Sequence, residues 1–207
     1  MQIARRSLLS LVTASAFAPA AFADDTADSG ADSPYAQRSI GSPDAKVTAY
    51  EYFSLTCTHC AYFGVAVMPQ VKPKLVDTGI LQIIYKDCPL DQIALMAAQV
   101  ARSLPAEQYY PFIEALFASQ SDWAFNPANG DSKDALFKYA VLAGMDRDSF
   151  DAAIANQKLQ QFVLDSRSEA MTIHHIDATP TFIINGTNYP GALEYDDFYT
   201  LIMKNGG

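Results

Sequence analysis

Residues Lys46 to Leu55, KVTAYEYFSL, form a short run of β-branched and aromatic side chains, the pattern of a buried strand. From Cys57 the apolar positions change to helical spacing through CTHCAYFGVAVMPQVKPKLVDTG. That stretch predicts a helix kinked at Pro69, with Gly79 ending the connection. A second strand follows at Ile80 to Cys88, ILQIIYKDC. Strand, helix and strand within about 40 residues make a βαβ unit, whose strands run parallel. From Leu90 to His174 the pattern stays helical, in five segments broken at Pro105, at NPANGD, at Gly144 and at Asn156. Strand character returns at TPTFIINGTNYPGAL, where NGT supplies a turn between two short strands. EYDDFYTLIMKN closes the chain as an amphipathic helix.

This order, βαβ, then about 85 helical residues, then ββα, fits one mixed sheet with helices on both faces. The fold class it predicts is α/β: a thioredoxin fold with an inserted helical domain. Residues 44–88 and 176–207 form the thioredoxin-fold part and 89–175 the insertion. Residues 24–43, rich in Asp and Ser and without periodicity, read as a flexible acidic leader that packs at most at its end. Residues 1–23 carry Arg5 and Arg6, then an apolar stretch ending in Ala21-Phe22-Ala23. That is the layout of a cleavable export signal, with cleavage after Ala23. The paired arginines leave both general and twin-arginine export open.

Half the residues are hydrophobic and 12% aromatic, enough for a substantial core. The formal net charge of −9, with Lys and Arg scattered singly, argues against a nucleic-acid interface. There are three cysteines. In an oxidising compartment thiols pair by default, but a bridge between residues three apart closes too small a loop to be a useful staple. Cys57 and Cys60 therefore point to chemistry. At i and i+3 in a helix's first turn their sulfurs fall within bonding distance. Cys57 sits where free amides and the positive end of the helix dipole favour a thiolate, so it is the expected exposed nucleophile, with Cys60 the resolving thiol. His59 between them can tune the pair. Glu51, on the strand before it, is placed to move protons for Cys60. Thr179-Pro180, just ahead of a strand, is the X–Pro bond where a cis peptide costs least.

The segments EYFSLTCTHCAYF, YKDCPLD, WAFNP, LAGM and ATPTFIING together resemble the DsbA-like thiol:disulfide oxidoreductases, particularly their alphaproteobacterial members, from about Asp44 onward. The resemblance implies a periplasmic enzyme with its reactive pair at Cys57 and Cys60 and a cis-proline at Pro180 beside them. It makes Thr179 the residue that offers its backbone to substrate, sets Thr58 facing the substrate as a determinant of redox potential, and puts Glu51 at the family's acidic position. Three residues depart from the pattern. Thr58 stands where the best-known oxidases have proline, Cys88 stands where phenylalanine is common, and His175 stands where a helix-ending glycine is expected. Histidine tolerates that backbone conformation better than most residues. Cys88 reads as a core filler, the sharper alternative being a third redox thiol at the same sheet edge as Cys57.

The expected partners are reduced, cysteine-bearing exported proteins and a DsbB-like membrane protein, linked to quinone, that reoxidises the pair. No cofactor, metal or nucleic acid is implied, and a monomer is expected. Two alternatives remain at this point: a reductase or isomerase using the same pair, and a metal site built from Cys57, His59, Cys60 and Cys88.

Overall fold

The computed structural model describes residues 30–207. The expected export signal, its cleavage point after Ala23 and the first residues of the leader lie outside the described residues. The remainder builds a five-stranded sheet in the order β1-β3-β2-β4-β5. β2 (Val47–Phe53) and β3 (Leu81–Asp87) are its parallel centre, in register from Val47–Leu81 to Phe53–Asp87. Their nearly continuous apolar sequence follows from burial on both faces. β4 (Thr181–Ile184) pairs antiparallel with β2 and continues into β5 (Thr187–Pro190). The two-residue loop between them, Asn185-Gly186, has positive φ at both positions, 49° and 76°. Asn and Gly accept that conformation, and it matches the twist of a tight hairpin.

The helix after β2 is one segment with alternating winding: α1 (Thr58–Tyr62), a π-helical turn at Phe63–Val67, α2 (Met68–Val71) and a second π turn at Lys72–Val76. The kink expected at Pro69 takes this form. Pro69 and Pro73 lack an N–H, and their rings crowd the carbonyl four residues back, which a wider turn relieves. Gly64 lies in the first π turn where a Cβ would come 2.9 Å from Phe117, so a bare backbone is what lets this segment lie against the insertion.

The insertion holds α3 (Gln92–Arg102), α4 (Ala106–Ala118), a π turn at Ser121–Phe125, α5 (Ser132–Leu142), α6 (Arg147–Ala155) and α7 (Gln157–Thr172). Asp91, Asp131, Asp146 and Asn156 cap four of these helices, each side chain accepting an amide of the first turn. One apolar core joins sheet and insertion, running from Phe53 and Tyr85 through Phe117 to Trp123, Leu136 and Phe150. α8 (Tyr195–Lys204) packs beneath β4 through Phe198, which meets Phe63 and Phe182 at 5.2 and 5.1 Å between ring centres. His175 has φ 53° just after α7, the conformation expected of a glycine there.

The described part of the leader corrects the expectation of a flexible segment. Arg38–Ile40 is strand β1, paired antiparallel with the outer edge of β3. Two buried arginines hold the chain before it. Arg38 donates to the carbonyls of Ala31, Ser33 and Arg102, and Arg102 donates to those of Pro34 and Ala36 while its Nε pairs with Asp87. Tyr35 adds an edge contact to Phe162 at 5.5 Å. Periodicity could not find this segment, because its partners are far away in sequence and polar.

Candidate active site

β2 ends at Phe53, and the four residues 54–57 carry the chain over the sheet's edge into α1. Four hydrogen bonds fix that loop from outside. The Gln120 amide, buried at the end of the helix pair, donates to the carbonyls of Leu55 (2.8 Å) and Cys57 (3.0 Å). The Thr56 hydroxyl donates to Asp91, the cap of α3, at 2.7 Å. Ser54 Oγ accepts the Leu90 amide at 3.3 Å. Sequence reasoning missed Gln120 and Thr56 as site residues. Asp91 was visible only as part of YKDCPLD.

Cys57 is the N-cap of α1, with extended backbone, and Cys60 lies one turn inside. All three cysteines are reduced in this structure. Cys57 is 7% exposed and Cys60 fully buried, so the expected exposed nucleophile is in fact covered except at one edge. The cover is the loop before β4. Its Thr179–Pro180 peptide is cis, and Cys57 Sγ donates to the Thr179 carbonyl at 3.1 Å.

The electrostatics pull the two thiols apart. The Cys57 pKa is lowered from 9.0 to about 5, chiefly by hydrogen bonding from the Cys60 thiol, against the opposing effect of burial. Thr179 and the amides of Cys60 and His59 add to it. The Thr179 hydroxyl is buried with no other partner, so a thiolate at Cys57 gives it an acceptor. The sequence put the helix amides first among causes; the structure puts the neighbouring thiol first, because an S–H donor one turn away faces the sulfur directly. Cys60 is pushed well above its ordinary value by burial, and further by its bond to Cys57. Glu51, 3% exposed in the middle of β2 between Tyr85 and Phe182, is raised to about 8 by burial first and by the Cys57 charge second. It is therefore a neutral acid near pH 7.

His59 and Thr58 are exposed beside the pair. The His59 backbone amide contributes to the Cys57 thiolate. The Thr179 N–H makes no hydrogen bond among the described residues, which leaves a free backbone donor in the loop that covers the sulfur. Cys88 donates its amide to the Phe53 carbonyl at 2.8 Å and packs with Tyr52, Ala170, Ile176 and Ile183. Among the described residues no group of three or more His, Cys, Asp or Glu is arranged to hold a metal.

The arrangement suits thiol–disulfide exchange: a stabilised thiolate, a buried partner thiol, a proton reservoir and a free backbone donor. Comparison with known proteins agrees. Residues 34–204 match the family Thioredoxin_4, described as thioredoxin. The fold is similar to α-DsbA1 of Wolbachia pipientis, with a TM-score of 0.76 and 31% identity over 83% of this chain and 91% of that one. BdbD of Bacillus subtilis, at 20% identity, is similar in fold, with a TM-score of 0.71 over 82% and 92%. A protein of Rickettsia conorii named as a protein-disulfide oxidoreductase is 24% identical over 166 residues, 80% of this chain and 58% of its own length. The chain thus spans less than two thirds of that curated relative. With most of its length matched and the same sheet carrying the cysteine pair and the cis-proline, the chain belongs to the thioredoxin family, in its DsbA-like branch.

Proposed function

We propose that the protein is a periplasmic thiol:disulfide oxidoreductase that passes a Cys57–Cys60 disulfide to reduced cysteines of exported proteins. The observation that carries this reading is the divergence of the two thiols at the sheet edge, one stabilised as a thiolate and the other held protonated. A substrate thiolate attacks Cys57 of the oxidised pair, forming a mixed disulfide and releasing Cys60, which takes up a proton. A second substrate thiolate then attacks the substrate sulfur of that mixed disulfide. Cys57 leaves as its thiolate, the better leaving group, so the substrate gains a disulfide and the enzyme holds two electrons.

Within this reading Glu51 supplies the proton for Cys60, Thr179 pairs its backbone with the extended substrate beside Pro180, and Thr58 and His59 form the surface the substrate meets. The layout of residues 1–23 supports export, and the names of the Rickettsia relatives support the chemistry. A DsbB-like, quinone-linked membrane protein would restore the disulfide.

The test is the reduction potential in glutathione buffers. A value near about −120 mV supports the oxidase, and one near about −270 mV turns the direction to reductase. If no Cys57–Cys60 disulfide forms in oxidising buffer, the redox reading fails altogether.

A further inference from the structure

On the face of the sheet that carries α7 there is a groove of about 90 Å³ that the exchange chemistry does not use. Cys88 and Ile176, both 5% exposed, form its floor. Leu90 and Met171 stand at its rim, 51% and 52% exposed, a large apolar side chain on each side. Thr179 is its end wall, and the Thr179 carbonyl lies 3.1 Å from Cys57 Sγ. The groove therefore begins at the residue that touches the nucleophile. Arg167 and Asp177 also line it, one charge of each sign.

We propose that this groove is a substrate subsite: it takes a large apolar side chain from an extended segment of the cysteine-bearing substrate, within two residues of the reacting cysteine. The inference rests on the redox reading above. For exchange, the substrate sulfur must reach Cys57 past Thr179, whose free N–H offers a donor to an extended chain. Such a chain advances roughly 3.3 Å per residue and alternates its side chains. The residue two positions from the cysteine then shares the cysteine's face and falls over the groove, while the two immediate neighbours point to the other face. An apolar side chain there covers Leu90 and Met171, which otherwise stay in water. With one lining charge of each sign, Arg167 and Asp177, bulk is selected and charge is not. The small Cys88 side chain keeps the floor open.

The test uses short peptides with one cysteine pair, carrying Leu, Ser, Asp or Lys two residues from the reacting cysteine, with glutathione as the probe that has no such side chain. The expected result is a kcat/KM about tenfold higher for Leu than for Ser, with Asp and Lys alike. Leu90→Ser with Met171→Ser, both at exposed positions, removes the preference and leaves the glutathione rate unchanged. Equal rates for Leu and Ser in the unaltered protein overturn the proposal, as does a Leu preference that survives the double substitution. If glutathione is not oxidised either, the redox reading itself has failed and the subsite falls with it.

Discussion

Cys57 and Cys88 leave parallel strands at the same edge of the sheet and are about equally buried, yet their thiols move in opposite directions. Cys57 falls to about 5, while burial pushes Cys88 up. The difference lies in what faces each sulfur. Around Cys57 stand the Cys60 thiol, Thr179 and two helix amides; Cys88 sits among Tyr52, Ala170, Ile176 and Ile183, with Arg167 the main charge working to lower it. Burial by itself favours the neutral thiol, and only aimed donors reverse it. A cysteine near an active site is thus not reactive by position alone.

The largest effect expected on this contrast comes from Cys60→Ala, which removes the first donor and the resolving thiol together. Turnover stops, Cys57 attacks oxidised glutathione to give a mixed disulfide that no resolving thiol releases, and the Cys57 pKa rises by about two units in a thiolate-absorbance titration. Cys60→Ser also stops turnover but keeps an O–H donor, so its Cys57 pKa should stay closer to the unaltered value. Next is the rate of alkylation near pH 7: iodoacetamide should modify Cys57 at least about a hundredfold faster than Cys88, following their thiolate fractions. Comparable rates would erase the distinction between the two sites.

Glu51→Gln tests the proton reservoir. The folded-state pKa of about 8 lies above the ordinary 4.5, so the folded protein holds a proton that the unfolded chain gives up between those values. Stability from this group is intact below about 4.5 and falls as pH rises toward 8. The glutamine variant should be stabler than the unaltered protein by on the order of 4 kcal/mol at pH 8 and about equal at pH 4, measured by urea unfolding. It should also lack the fall in exchange rate through pH 8 that loss of the Glu51 proton produces. For Cys57 the sign is opposite. Its folded pKa is depressed, so the reduced protein's advantage over the oxidised one is full above about 9 and is lost as pH falls through 5, by about 1.4 kcal/mol per unit between. Melts of both redox forms at pH 8 and pH 5 check it.

Smaller effects complete the series. Thr179→Val removes the otherwise unpartnered hydroxyl and should raise the Cys57 pKa by about one unit. Cys88→Ala should cost about 1 kcal/mol of stability and change glutathione turnover less than twofold. A large loss of turnover there would make Cys88 part of the redox cycle after all.

Much of this architecture was legible from neighbours in the chain. The apolar runs of β2 and β3, the Asn185-Gly186 hairpin, the Cys57-to-Cys60 spacing and the turn at Pro180 each depend on residues within a few positions of one another. Local periodicity and turn chemistry report such relations directly. β1 did not show, because three residues held by Arg38 and by Arg102, 64 positions apart, carry no period of their own. Gln120 looked like the tail of a helix and is instead the clamp on the Cys57 loop, 63 residues away.

The sequence by itself therefore determined the order of elements from β2 onward, the class of fold, and the pairing of two thiols at a helix N-terminus. Tertiary structure alone decided how covered Cys57 is, which donors set its charge, where Glu51 finds a water-poor site, and that Cys88 floors a groove ending at Thr179. Those are properties of burial and of groups converging from different elements. A side chain's ionisation depends on everything within a few ångströms, while chain neighbours supply only part of that shell.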